Sequence, residues 1–183
     1  TKRLFSAFVA SQRNINTANI VAVSETEFDS YLTDKPMPPL DGTLVRGDVS
    51  PAVFLIQDTK KRPISYPVFV QRKFSFANVV TIPQAEVDTY EQGGFITPVN
   101  GTLVRGEVDP TVYLIDADLK RPISYEVFVA RKFSFAKLMK LSDDEVKSLP
   151  SGSFVYPPDS VAIKMQGDTG IYWFKNNQKR YVS

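Results

Sequence analysis

Four Lys-Arg pairs, Lys2-Arg3, Lys61-Arg62, Lys120-Arg121 and Lys179-Arg180, recur along the chain, each followed three residues after the Arg by Ser6, Ser65, Ser124 or Ser183. Guanidinium and ammonium groups presented once per unit could grip a repeating anionic polymer, such as a wall glycopolymer, an acidic glycan or a nucleic acid. The same residues also have a structural use. In a strand, alternate side chains share a face, so Arg62 lies on the side of Ile64; its stem can cover core while its head meets a recurring acid. Glu27, Glu86 and Glu145 recur with the pairs, as do Arg13, Arg72 and Arg131, and the sequence favours this structural use.

The 183 residues include no cysteine and no histidine. That removes disulfides, thiolate and imidazole metal ligands, Ser-His-Asp and Cys-His catalysis, and the most frequent general base near neutral pH. No glycine-rich phosphate loop or metal-ligand spacing stands in their place, so the sequence assigns no catalytic residue, no metal and no cofactor. Asp116 with Asp118, and Asp143 with Asp144, are the acids that could form a calcium site or an acid/base pair. Their equivalents in the preceding copy are not acidic, and a hairpin turn and a helix first turn account for them. Asn100-Gly101-Thr102 matches a glycosylation sequon but is first of all a turn dipeptide. The alternating Phe74/Phe76 and Phe133/Phe135 beside Arg-Lys could stack bases or sugars; Ile15 and Thr17 take their places in the first copy, which favours core. Trp173 replaces Leu114 and reads as core filling.

These residues are positioned by a unit that is copied. A shift of 59 residues lays GTLVRGDVSPAVFLI (42–56) on GTLVRGEVDPTVYLI (101–115), and KRPISYPVFVQRKFSFA (61–77) on KRPISYEVFVARKFSFA (120–136). From Gly42 to Phe76, 25 of 35 positions are identical, far beyond a shared composition. The same offset carries outward without a gap, dividing the chain into 1–41 (the C-terminal part of a unit), 42–100, 101–159 and 160–183 (the N-terminal part of a unit). TLVRG, AVFLI and KRPIS are short β-branched or aromatic runs between turn residues and predict a three-stranded antiparallel meander, with Pro63 and Pro122 on an edge. Ser65 and Ser124 predict N-caps for a helix over about 66–74 and its equivalent. A short apolar run such as NVVTI follows. A second helix is then announced by the capping boxes Ser24-x-x-Glu27 and Ser142-x-x-Glu145, with Pro83 at the same position in the middle copy. The expected fold is therefore α+β: a tandem repeat of about 59 residues, each a meander followed by two short helices, stacked as an open array or a closed ring.

The pattern GTLVRG…VYLI…KRPIS…VF…F…V…(S/P)xxE…Gly resembles repeats of bacterial secreted and cell-envelope proteins, which occur in tandem beside wall-active or adhesive domains. IYWFKNNQKRYVS (171–183) resembles a variant of them. The resemblance covers nearly the whole chain. It implies a secreted or cell-surface location and a structural, assembly or binding role, and carries over no catalytic residue. The usual glycine of the hairpin turn is missing in QDTKKR, DADLKR and NNQKR, which leaves that turn's geometry open. The expectation is a non-enzymatic repeat module that binds a cell-wall polymer or glycan through the eight Lys-Arg residues or acts purely in assembly, with self-association through terminal strand segments. The alternatives are a carboxylate-dependent glycan-cleaving enzyme and a weak nucleic-acid-binding module. A net charge of +2 disfavours nucleic acid, and no apolar run reaches the roughly 20 residues of a membrane-spanning helix.

Overall fold

A computed structural model describes residues 1–182 and shows an α+β protein with several small sheets and six short helices among them. The chain divides into two compact units, the first Thr1–Ile96 and the second beginning at Thr97. None of the described helices is long and apolar enough to cross a membrane.

In the first unit, strands β1 (Leu44–Gly47), β2 (Val53–Gln57) and β3 (Lys60–Ile64) form the expected meander. A fourth strand, β4 (Val79–Ile82), joins it parallel to β1, giving the order β3-β2-β1-β4. The apolar run NVVTI is thus part of the sheet, and the three-stranded expectation was one strand short. Helix α3 (Tyr66–Gln71) makes the crossover that two parallel strands need, returning the chain past β2 and β1. Period-two burial turns Val45 and Ile56 inward, both completely buried, to meet Ile82, Val87 and Tyr90, with Phe8, Phe54 and Val80 against them. Helix α4 (Gln84–Thr89) supplies Val87 to this core and follows Pro83 at its N-cap.

The crossover helix stops earlier than predicted. Lys73 takes a left-handed conformation (φ 58°), and the Phe74 amide bonds back to the Phe69 carbonyl at 3.1 Å, closing a Schellman turn after Gln71 rather than at residue 74. Residues 1–41 carry helices α1 (Ala7–Gln12) and α2 (Glu25–Ser30), capped by the Ser6 and Ser24 hydroxyls, which accept from the Val9 and Glu27 amides. Residues 20–23 lie in no strand, and Ile20 and Val21 are 80% and 82% exposed.

In the second unit, β5 (Leu103–Arg105), β6 (Tyr113–Asp116), β7 (Leu119–Pro122) and β8 (Leu138–Lys140) form a sheet of order β7-β6-β5-β8, with β8 parallel to β5. Helix α5 (Tyr125–Ala130) makes the crossover, capped by the Ser124 hydroxyl, and α6 (Asp143–Ser148) follows Ser142. The core gathers Leu103, Ile123, Phe128 and Val155. A second sheet, β9 (Val161–Lys164), β10 (Ile171–Lys175) and β11 (Gln178–Tyr181), is an antiparallel meander of order β11-β10-β9. Its buried large side chain is Phe174, packed beside Tyr156 at a ring separation of 5.9 Å.

The missing hairpin glycine changes the residues of the turn, not its form. Asp58-Thr59, Ala117-Asp118 and Asn176-Asn177 all have φ between 51° and 62°, as a two-residue type I′ turn demands. The freed amides are held from outside. Asp41 accepts from Asp58 and Thr59, Asn100 from Asp118, and Asp159 from Asn176, at 3.0 to 3.2 Å. Asn100, the sequon residue, therefore serves as a turn clamp.

Candidate functional site

The Lys-Arg pairs are the candidate site, and the strand that carries them decides which way they point. In β3 the Lys61 amide bonds to the Glu91 carbonyl and the Lys61 carbonyl accepts from Gly93, so the sheet edge is covered by the chain that leaves α4. The same parallel bridge joins Lys120 to Ser151 and Lys2 to Thr33. Lys61 and Lys120 end up 8% and 9% exposed. Their ammonium groups donate to helix carbonyls, Lys61 to Val87 at 2.7 Å and Lys120 to Val146 at 2.5 Å, and Lys2 donates to the equivalent Phe28 carbonyl at 2.8 Å. A cation at the negative end of a short helix is favourable, and the carbonyl supplies the hydrogen bond that burial requires. Lys61 and Lys120 also lie 5.7 Å and 5.6 Å from the ring centres of Phe54 and Tyr113. Burial pushes Lys120 below the ordinary lysine pKa, and Asp109 pulls it partly back.

The arginines hold the segment after the second helix. Arg62 donates to the Gly94 and Phe95 carbonyls at 3.0 and 2.8 Å and to Gln57. Arg121 donates to Ser153 and Phe154 at 3.0 and 2.9 Å and pairs with Asp116 at 2.6 Å. Arg3 reaches the Lys35 carbonyl. Close approach is possible because Gly93 and Gly152 have no side chain: a Cβ on either would sit 2.8 or 2.9 Å from the arginine Cγ. Arg13 and Arg131 add bonds to the Pro38 and Tyr156 carbonyls.

Two of the acids predicted to meet these arginines bond to tyrosines. Glu27 accepts from the Tyr31 hydroxyl and Glu86 from that of Tyr90, so the carboxylate half of the box at Glu27 turns to a tyrosine four residues on. Burial, with the bond to Glu86, raises the Tyr90 pKa. Glu145 is buried. One ionic cluster was not anticipated: Glu91 is shared by Lys35 at 2.5 Å and Lys60 at 2.8 Å, which hold its carboxyl down to about 2. Asp143 accepts from the Val108 and Asp109 amides. Among the described residues no group of three or more acids could hold a metal ion.

The fourth pair differs. Lys179 and Arg180 are exposed on β11, with Lys179 5.3 Å from the Tyr172 ring centre. Ser183 lies outside the described residues. Trp173, expected in the core, is 42% exposed and with Lys175, Asn176, Gln178 and Arg180 lines an open groove of about 360 Å³. Phe76 and Phe135 also stay 58% and 57% exposed, although each stacks on a buried ring, Phe69 or Phe128, at 4.3 Å.

Sequence reasoning found the Lys-Arg positions and missed their acceptors, because a backbone carbonyl carries no residue signature. The turn clamps had one: Asp41, Asn100 and Asp159 recur at a fixed distance before the hairpins. No family model, curated protein or solved structure matches the chain.

Proposed function

We propose that the chain is a non-enzymatic structural and assembly module of a bacterial secreted or cell-surface protein, built from tandem copies of a unit of about 59 residues. The observation that carries this reading is the shared set of bonds 59 positions apart: Lys61 on Val87 and Lys120 on Val146, Arg62 on residues 94 and 95 and Arg121 on residues 153 and 154. Sheet registers follow the same offset, Leu44↔Val79 in one copy and Leu103↔Leu138 in the next. Residues that might have done chemistry are engaged in holding the unit together, which supports a scaffold over an enzyme.

A second reading, glycan or wall-polymer binding, is favoured by the groove at Trp173 and Arg180, where an exposed indole, two amides and two cations converge. An exposed aromatic ring beside polar side chains suits a sugar face. Retention on purified cell wall and on a glycan array separates the two. The scaffold reading expects no retention by the wild type. Saturable retention that Trp173→Ala abolishes and Lys61→Met leaves intact would establish binding at this groove instead.

A further inference from the structure

The carboxyl ends of the parallel strands β5 and β8 border a crevice in the second unit, the end of an open sheet at which ligands are commonly held. Pro110, Val112, Ile123, Tyr125, Phe128 and Phe135 line an apolar hollow of about 310 Å³. On the other side of Phe135 a second hollow, of about 280 Å³, is bounded by Arg105, Leu138 and Lys140. Local structure holds the dividing ring in place. Lys132 takes a left-handed conformation (φ 56°), the Phe133 amide bonds back to the Phe128 carbonyl at 3.1 Å, and the Ser134 hydroxyl accepts from the Ala136 amide. Phe135 then stacks on Phe128 with more than half of its own surface in water.

The first unit keeps the same exposed rings. Tyr66 and Tyr125 are 70% and 69% exposed, matching the near-equal exposure of Phe76 and Phe135. Neighbouring exposed positions change, Asn78 to Lys137 and Thr81 to Lys140, while the rings stay. The cations then separate the two units. Arg46 stands opposite Thr81 on the parallel pair and donates to its hydroxyl at 3.0 Å. Arg105 stands opposite Lys140 instead. Like charges opposite one another on adjacent strands repel, and among the described residues neither side chain has an ion pair or a hydrogen bond. A carboxylate arriving there relieves the repulsion and accepts from both.

We infer that this crevice binds an extended acidic peptide, which seats an aromatic side chain among Tyr125, Phe128 and Phe135 and places a carboxylate two residues on at Arg105 and Lys140. Residues two apart on an extended chain share a face and stand about 6.5 Å apart, so one segment straddles the Phe135 ring. The apolar hollow offers ring partners to an aromatic side chain. No side-chain amide or carboxylate lines it to satisfy the hydroxyls of a sugar, which favours a peptide over an acidic glycan. The site goes beyond the module reading and stands without it, since the bonds of Lys61, Arg62, Lys120 and Arg121 take no part.

The probe is the capped peptide acetyl-Gly-Phe-Gly-Glu-Gly-amide, titrated to millimolar concentration into the full chain while backbone amide shifts are followed by NMR. Saturable shifts are expected at Arg105, Val112, Phe135 and Lys140, with binding at least about tenfold weaker around Phe76 and Thr81. Replacing the peptide's Glu by Gln should weaken binding about tenfold, the worth of a hydrogen bond to a charged group. Phe135→Ala should abolish it. Because that ring also packs on Phe128, Lys140→Thr, which copies the pairing of the first unit, gives the same test on an exposed position, and Thr81→Lys should bring binding to the first unit. A flat titration, equal affinity for the Glu and Gln peptides, or an equal response around Phe76 overturns the assignment. So does saturation of the same residues by an oligouronide in preference to the peptide, which would make the ligand an acidic glycan. Retention on cell wall or glycan through Trp173 bears on the module reading alone, so the two fail separately.

Discussion

Removing the ammonium group of Lys61 or Lys120 leaves a buried helix carbonyl, Val87 or Val146, short of its side-chain donor. That carbonyl still accepts from the Tyr90 or Leu149 amide, so the expected loss for Lys61→Met or Lys120→Met in urea denaturation is that of one hydrogen bond from a charged group, about 1.5–3 kcal/mol. Lys179→Met, on an exposed strand, should stay within roughly 0.5 kcal/mol of wild type. Equal losses at all three positions would contradict the assignment. Glu91 gives a pH signature. Its folded carboxyl is lowered to about 2 from an ordinary 4.5 by Lys35 and Lys60. Its contribution is therefore present above pH 4.5 and lost as pH falls towards 2, where the folded group takes up its proton. The stability difference between wild type and Glu91→Gln should vanish across that window. Because the cluster is solvent-exposed, about 1 M salt should shrink the difference at neutral pH as well.

At the scale of elements, the hairpins place non-glycine residues in left-handed backbone. Thr59 is the costliest, a β-branched residue at φ 62°. Left-handed geometry costs an L-residue about 1–2 kcal/mol, whereas glycine's extra freedom in the unfolded chain costs about 0.4–1 kcal/mol. Relief of strain outweighs the entropy, and Thr59→Gly should stabilise the chain by about 0.5–1 kcal/mol, seen as a higher midpoint in urea. A lower midpoint would show that Asp41 already compensates the turn through its two amide bonds. Elements were also where sequence reasoning was most uneven. The meander was legible because its runs alternate and end at Gly, Pro and Asp, and the helix starts because Ser24, Ser65, Ser124 and Ser142 announce caps; all four stand at N-caps, although the Ser65 hydroxyl makes no capping bond. The parallel strand β4 was not, since three apolar residues and a threonine after a helix carry no period that distinguishes a strand from loop core. The early end of α3 was hidden too, because Lys73 gives no hint of a left-handed residue.

At the scale of the whole molecule, the bonds of Lys61 and Arg62 recur 59 positions on at Lys120 and Arg121, which supports the repeat proposed above. The Lys-Arg positions were legible and their orientation was not: identity and spacing mark a residue's importance, while its facing is decided by which backbone comes to cover the strand. The prediction at this scale concerns modularity. Removal of residues 42–100 joins Asp41 to Gly101 and leaves 124 residues (183 − 59) with every bond type of a copy retained. Such a chain should melt cooperatively, with a circular dichroism spectrum per residue like that of the parent; loss of cooperative melting would show that copies are not interchangeable. The turn clamps sharpen this. Asp41 reaches 17 residues forward to Asp58, and Asp159 the same distance to Asn176. Under the proposed repeat each clamp straddles the joint where a splice would be made, so changes of length are expected to be tolerated in whole steps. A few residues inserted after Asp41 would carry its carboxylate away from the turn it steadies, so the proposed repeat would be proofread at this joint against insertions out of step with it.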